Sequence, residues 1–239
     1  MKKRKGLWIT AAVLLVLALG VAMYAADYYR AEDTAIAAVA GNAAVTVARS
    51  EDLTVFAPKD PVAGMIFYPG GKVEHTAYAP LMLELAREDI LCVLVRMPLN
   101  LAVLDMDAAE GVRERYPEVE KWYIGGHSLG GSMAASWAAD NAGQLEGLVL
   151  LAAYSTADLT ETDLDVLSVY GDRDRVLNPQ KYAKYLPNLP KNHRELVISG
   201  GNHALFGSYG PQEGDGEAAI TGREQTAITV RAILELINT

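Results

Sequence analysis

The sequence predicts an α/β fold, built on an eight-stranded, mostly parallel sheet that is flanked by helices on both faces. Apolar runs typical of buried strands alternate with helical patterns from residue 64 onward. Two short apolar runs ahead of them, residues 44–48 and 53–57, fit an edge hairpin. A length of 239 residues with 51% hydrophobic residues suits one domain with a sizeable core.

The later strands are predicted where apolar runs are continuous, as in strands covered on both faces. They are residues 64–68, 90–95, 121–125, 147–152, 166–170 and 195–199. Helical patterns separate or follow them at residues 78–88, 104–116, 129–141, 179–186 and 218–237. The connection 153–165 is too short for a cap domain, so none is expected.

The N-terminus predicts a transmembrane helix. Four cations in the first five residues precede the uncharged residues 7–26. Twenty residues at about 1.5 Å each span about 30 Å, the thickness of a bilayer's hydrocarbon core. The cations predict a cytoplasmic tail over residues 1–6, a single-pass signal anchor over 7–26 in the cell membrane and an extracytoplasmic catalytic domain.

Cleavage of the same segment as a signal peptide, followed by secretion, is the alternative. The sequence Tyr24-Ala25-Ala26 places a bulky residue at the first small position of the cleavage rule, which favours the anchor. The Ala-rich residues 27–43 are predicted to form a short helix or a linker, and residues 44–239 the domain.

Charge and cysteine content narrow the possible partners. The chain carries −9, and the part after the four N-terminal cations carries −13. An acidic domain without a basic stripe argues against a nucleic-acid partner. The only cysteine, Cys92, lies in an apolar run and is predicted to be a buried small side chain. The oligomeric state stays open.

The most informative motif is Gly126-His127-Ser128-Leu129-Gly130. It lies between an apolar run and a run of small residues with helical character, which is the strand, turn and helix context of a nucleophile elbow. Ser128 is therefore the predicted nucleophile. A serine hydroxyl is a weak nucleophile, so it requires a base and an orienting acid.

His203 is the predicted base, because it is the histidine that follows the last predicted strand, and sites in open sheets lie beyond the carboxyl ends of strands. The acid should follow the strand 166–170, where the sequence offers Asp172 and Asp174. Asp174 is preferred, since one more turn residue helps it reach the histidine. Asp172 is expected to bond backbone amides of the turn.

Two amides are predicted to form the oxyanion hole. One is that of Leu129, next to the nucleophile at a helix N-terminus. The other belongs to Gly71 or Lys72 in the loop after the third strand, and the sequence does not separate the two. Arg96, Asn100 and Tyr154 lie near the appropriate strand ends and are predicted to line the substrate pocket.

Five short stretches follow one another in residues 44–239: Phe67-Tyr68-Pro69-Gly70-Gly71, Val95-Arg96-Met97-Pro98, Gly126-His127-Ser128-Leu129-Gly130-Gly131, Tyr170-Gly171-Asp172-Arg173-Asp174 and Gly200-Gly201-Asn202-His203. By these stretches, residues 44–239 resemble the α/β-hydrolase family, in its compact dienelactone-hydrolase-like group. True dienelactone hydrolases typically have a cysteine nucleophile, whereas this elbow carries serine. The resemblance implies a Ser-His-Asp triad and ester hydrolysis without a cofactor.

The sequence thus predicts a membrane-anchored serine hydrolase that cleaves a carboxylic ester or thioester of a small molecule through an acyl-enzyme. Two alternatives stay open: an acyltransferase with the same triad, and a non-catalytic binding module on the same fold. No metal or cofactor motif is present in the sequence. The acidic residues Glu213, Asp215 and Glu217 are expected to be a solvated loop, with a calcium site as the alternative.

Overall fold

The computed structural model describes residues 13–17, 19–21 and 23–239, and its centre is an eight-stranded sheet. The spatial order is β1-β2-β4-β3-β5-β6-β7-β8. The eight-stranded sheet predicted from the sequence is confirmed. The strands are β1 Val45–Arg49, β2 Leu53–Pro58, β3 Ala63–Tyr68, β4 Ile90–Val95, β5 Trp122–His127, β6 Gly147–Leu151, β7 Asp165–Gly171 and β8 Arg194–Ile198.

Only the β1–β2 and β2–β4 pairs are antiparallel, and the pairs that join β3 through β8 are all parallel. Every residue of β3, β4 and β5 is buried, as their continuous apolar runs predict. Because these strands run in one direction, their carboxyl ends meet at one edge of the sheet, and the loops that follow β3, β5, β7 and β8 gather there.

Five helices of the described residues flank the sheet: α1 Asp33–Ala38, α2 Ala79–Arg87, α3 Leu129–Asp140, α4 Pro179–Tyr185 and α5 Gly222–Ile237. Side chains of α2 and α5 belong to the core on one face of the sheet, and those of α3 to the core on the other. The N-terminus of α5 is fixed by a capping box, in which Thr221 and Glu224 satisfy each other's backbone amides.

The predicted helix 104–116 is wrong. The structure has separate 3₁₀ turns at Ala102–Leu104 and Arg113–Arg115, with irregular chain between them. Gly111 lies there at φ 69°, a left-handed conformation that ends any right-handed helix. The connection 152–164 between β6 and β7 is a short loop without a helix.

The segment ahead of β1 contains the short helix α1. The predicted span, residues 7–26, lies partly outside the described residues; positions 13–17, 19–21 and 23–26 are helical. Among the described residues, no helix has the length and apolar character that crossing a membrane requires. The helix α1 is packed on the domain, because its Ala35 and Ala38 are buried.

Tyr29 attaches this segment to the loop after β3. It forms a parallel bridge with Val73, in which the Tyr29 amide donates to the Lys72 carbonyl at 2.8 Å and the Glu74 amide donates to the Tyr29 carbonyl at 2.9 Å. Further along, the Glu32 amide donates to the Ser208 carbonyl at 2.9 Å. Residues 27–38 are therefore an integral part of the domain surface.

Removing residues 1–40 should lower the Tm by about 5–15 °C relative to removal of residues 1–26, because only the longer deletion removes the Tyr29 bridge and the buried face of α1. Differential scanning calorimetry of the two purified truncations measures the difference. Equal melting temperatures would show that residues 27–40 contribute nothing to the stability of the fold.

Candidate active site

Ser128 occupies a strained turn between β5 and α3. Its φ of 52° and ψ of −121° lie in a region that residues other than glycine rarely adopt, at a cost of about 1–3 kcal/mol. The turn is fixed on both sides, since the Ser128 amide donates to the Leu151 carbonyl at 2.9 Å and its carbonyl accepts from the Ser132 amide at 3.1 Å. Ser128 itself is partly exposed.

Glycines make this turn possible by removing side chains at the closest contacts. A Cβ on Gly126 would lie 2.6 Å from the carbonyl carbon of Gly130, and one on Gly130 would lie 2.2 Å from the Pro69 carbonyl oxygen. Neither position has room for a methyl group. The N-terminus of α3 therefore packs directly against the backbone of β5 and of the chain just after β3.

Asp174 and His203 form a buried pair. The His203 Nδ1 lies 2.8 Å from the Asp174 Oδ2, and both side chains are only 2% exposed. The other carboxylate oxygen of Asp174 accepts from the amides of Val176 and Leu177, both at 2.8 Å. Three donors thus hold this carboxylate, and Nδ1 of the imidazole is committed to it, which leaves Nε2 to act as base or acid.

The His203 ring lies beside the elbow. Its centroid is 4.4 Å from that of His127, the residue that precedes Ser128. The His203 Nε2 is buried and has no hydrogen-bond partner within the described chain. The structure therefore shows no hydrogen bond between this nitrogen and the Ser128 hydroxyl, and the buried Nε2 of His127 also has no partner among the described residues.

Asp172 and the other histidines have local partners instead. The Asp172 Oδ1 accepts from the Gly200 amide at 2.7 Å, the turn role that the sequence suggested. The Nε2 of His75 lies 3.3 Å from the Thr54 hydroxyl, and burial together with the nearby Arg96 lowers the pKa of His75 to about 4. His193 lies at the opposite end of the sheet, ahead of β8, with Nδ1 2.7 Å from the Pro190 carbonyl.

The candidate oxyanion donors differ in availability. Leu129 is the first residue of α3, so its amide has no acceptor within the helix. The Lys72 amide donates to the Asn100 carbonyl at 2.8 Å, whereas the Gly71 amide donates to no group in the described part of the chain. A Cβ on Gly71 would lie 3.0 Å from the Leu129 Cδ2, so the two loops are adjacent. This arrangement favours Gly71 over Lys72.

The three predicted pocket residues lie in different surroundings. Arg96 is exposed, and its guanidinium donates to the Glu51 carbonyl in the β1–β2 turn at 3.3 Å. The Asn100 carbonyl accepts from the Lys72 amide, and the Asn100 backbone has a left-handed φ of 56°. Tyr154 stacks on Tyr185 with centroids 5.3 Å apart. Of the three, the structure links only Asn100 to the candidate oxyanion loop.

Sequence analysis missed Tyr78, a fully buried residue that joins two parts of the site. Its hydroxyl accepts from the Gly70 amide at 3.0 Å and is hydrogen-bonded to the His127 Nδ1 at 2.7 Å. Burial raises the pKa of this hydroxyl, while burial and the neighbouring His203 lower the pKa of His127 well below its usual value. A protonated tyrosine and a neutral histidine thus connect the loop after β3 to the elbow.

Asp215 is a second residue whose role the sequence did not reveal. Its carboxylate accepts from the amides of Ala204 at 2.9 Å, Arg175 at 3.3 Å and Gly216 at 2.8 Å. Two of these residues directly follow His203 and Asp174. Asp215 therefore positions the loops that carry Asp174 and His203.

The described residues contain no group of three or more His, Cys, Asp and Glu side chains that could hold a metal ion.

Comparison with known proteins agrees with the fold described above. Residues 64–227 match the family model described as "Alpha/beta hydrolase family". The chain belongs to the α/β-hydrolase family. The predicted resemblance is confirmed at the level of family and fold. No curated protein matches this α/β hydrolase in sequence.

Solved structures of low sequence identity share the fold of this α/β hydrolase. Est1E from Butyrivibrio proteoclasticus is 14% identical with a TM-score of 0.59, over 82% of this chain and 100% of its own. Dienelactone hydrolase from Anabaena variabilis is 11% identical with a TM-score of 0.60, over 80% and 98%. Carboxyl esterase 2 from Tuber melanosporum is 11% identical with a TM-score of 0.61, over 88% and 91%.

Proposed function

We propose that this protein is a serine hydrolase that cleaves a carboxylic ester or thioester of a small molecule. The observation that carries the proposal is the buried Asp174–His203 pair, 2.8 Å apart, beside the strained elbow that presents Ser128. Two solved structures that share this fold are named a carboxyl esterase and a dienelactone hydrolase, and these names are consistent with ester cleavage.

In this mechanism the His203 Nε2 removes the proton of the Ser128 hydroxyl as the oxygen attacks the carbonyl carbon. The tetrahedral intermediate collapses, the bond to the alcohol or thiol breaks, and His203 returns the proton to that leaving group. Water then attacks the acyl-enzyme with the same proton transfers. Asp174 holds the imidazole in the tautomer that exposes Nε2 and stabilises the imidazolium.

The oxyanion of the intermediate is bound by the amides of Leu129 and Gly71 in this proposal. The Leu129 amide lies at the N-terminus of a twelve-residue helix, where the helix dipole favours negative charge. Preorganised amides of this kind are worth about 3–4 kcal/mol each in acyl transfer. The reaction uses side chains and backbone alone and requires no cofactor.

The catalytic domain is further proposed to lie outside the cell, held by a single-pass anchor over residues 7–26. The support is the sequence itself, with four cations before twenty uncharged residues. Secretion after cleavage of that segment is the outcome that would replace this proposal.

Ser128→Ala should lower kcat/KM for a nitrophenyl ester by about 10⁴-fold or more, because the variant removes only the attacking hydroxyl. Ser136→Ala, on the same helix, is the matched control and should retain wild-type turnover, since its hydroxyl only contacts the Ser132 carbonyl. Labelling by a fluorophosphonate probe reports the nucleophile independently of turnover. Wild-type labelling of the Ser128→Ala variant would refute the assignment, and an acyl-enzyme that transfers only to added alcohols would indicate an acyltransferase.

Asp174→Asn should reduce kcat by about 10³–10⁴-fold, because an amide favours the wrong tautomer of the imidazole. Asp172→Asn is the control within the same turn. It should cost less than about tenfold, since the amide oxygen of asparagine still accepts from the Gly200 amide. Steady-state kinetics on folded variants, checked by circular dichroism, measure both effects. A larger loss in Asp172→Asn would exchange the roles of the two carboxylates.

The full chain should remain with membranes after carbonate extraction, because salt and high pH do not weaken the hydrophobic retention of a twenty-residue apolar span. Protease added to intact spheroplasts should digest the domain, since the cations hold the N-terminus inside. A mature N-terminus near Asp27, or a domain protected from the protease, would contradict the anchor while leaving the hydrolase proposal unaffected.

A further inference from the structure

Four large apolar side chains are exposed in one short segment after β4. Leu99 is 47% exposed, Val103 51%, Leu104 54% and Met106 43%. We call this group the apolar rim. Isolated exposed apolar residues are ordinary, but four within eight positions form a patch that needs a partner.

The apolar rim borders the candidate oxyanion hole. The Asn100 carbonyl, within the rim segment, accepts from the Lys72 amide at 2.8 Å. A Cβ on Gly71 would lie 3.8 Å from the Leu101 Cδ2, on the same segment. An ester carbonyl held by the Gly71 and Leu129 amides would therefore have the rim beside it.

A second exposed apolar surface reaches the same loop from the N-terminal side. The described residues of the helical stretch before Asp27 expose their apolar side chains, among them Leu15, Val21 and Met23. At the end of this stretch the Lys72 ammonium lies 4.7 Å from the Tyr24 ring centroid and 2.5 Å from the Asp27 carboxylate. Lys72 thus contacts the apolar helix through its side chain and the rim segment through its backbone.

We infer that one lipid bilayer covers both surfaces, so that the apolar rim contacts the membrane and the site takes its ester from it. This inference rests on the proposed hydrolase function and on the proposed anchor. A bilayer that holds residues 7–26 ends near Tyr24, an aromatic residue of the type enriched at membrane interfaces. The substrate class is then an amphiphilic acyl ester dissolved in the outer face of that bilayer.

Charge near the rim specifies the kind of lipid. Lys72 is neutralised by Asp27, and the exposed Asp105 and Asp107 lie in or next to the rim segment. Acidic side chains at the contact would be repelled by anionic headgroups. The surface therefore fits a bilayer of neutral or zwitterionic lipids, and the ester substrate should be uncharged as well.

The test uses a fluorescent probe on the full chain, reconstituted in phosphatidylcholine vesicles. The nitrobenzoxadiazole label is placed on Leu104→Cys, with Val62→Cys as the matched control; Val62 is 62% exposed and lies at the other end of β3. The native Cys92 is buried, and burial raises the pKa of its thiol, so it escapes labelling. Adding nitroxide-labelled phosphatidylcholine should quench the label at 104 about twofold and leave the label at 62 unchanged.

Each outcome of this test decides the inference. Quenching at 104 alone supports it even if the protein proves not to hydrolyse esters, because quenching requires no turnover. If nitroxide-labelled lipid quenches the two labels to the same extent, or quenches neither, in chains that float with the vesicles, the inference is overturned. It is also overturned if the label at 104 is quenched only by a second, nitroxide-labelled copy of the chain. Failure of the chain to float with vesicles would overturn both this inference and the anchor.

A kinetic comparison tests the substrate class separately. Val103→Ser combined with Leu104→Ser should lower the ratio of turnover of a vesicle-embedded neutral ester to that of a water-soluble short-chain ester by about tenfold. Val62→Ser should leave the ratio as in the wild type. An unchanged ratio in the double variant would overturn the bilayer as the source of substrate. If the wild type hydrolyses neither ester, the proposed function itself is refuted.

Discussion

Direct backbone contact between β5, α3 and the chain after β3 is the constraint on which the candidate site depends. Gly126 and Gly130 bring these segments closer than any side chain allows. At this contact Ser128 occupies its strained turn, the first amides of α3 lack an acceptor within the helix, and Gly71 lies next to Leu129. One close approach thus sets the positions of the proposed nucleophile and the proposed oxyanion donors together, and the packing of the fully buried central strands β3 to β6 offsets the strain.

Buried polar groups extend this rigidity to the loops. Tyr78 joins the Gly70 amide to His127, and Asp215 joins the backbone after Asp174 to the backbone after His203. These loops are irregular, so their amides lack the backbone carbonyl partners that a sheet or a helix would provide. A buried amide without a hydrogen-bond partner costs about 1–3 kcal/mol. Side chains that satisfy several loop amides at once remove this cost and also fix the distance between loops that are far apart in sequence.

Local patterns in the sequence predicted what local physics determines. Continuous apolar runs identified the strands, since burial on both faces leaves no other pattern, and the elbow glycines identified Ser128 as a candidate. The helix expected at residues 104–116 is wrong because Gly111 lies within it in a left-handed conformation, through which a right-handed helix does not continue. Tyr78 and Asp215 could not be found in this way, because each acts by joining groups from separate loops, and these groups form no motif in the sequence.

The attachment of Tyr29 sets the length of free chain between residue 26 and the domain. An unattached stretch over residues 27–43 would reach about 55–60 Å when extended, enough for the domain to tumble freely. With Tyr29 bridged to Val73, only three residue steps remain, and these span about 10 Å at most. If residue 26 is held at a membrane as proposed, the domain keeps one fixed side toward that point, and its site reaches only the membrane close to its own anchor.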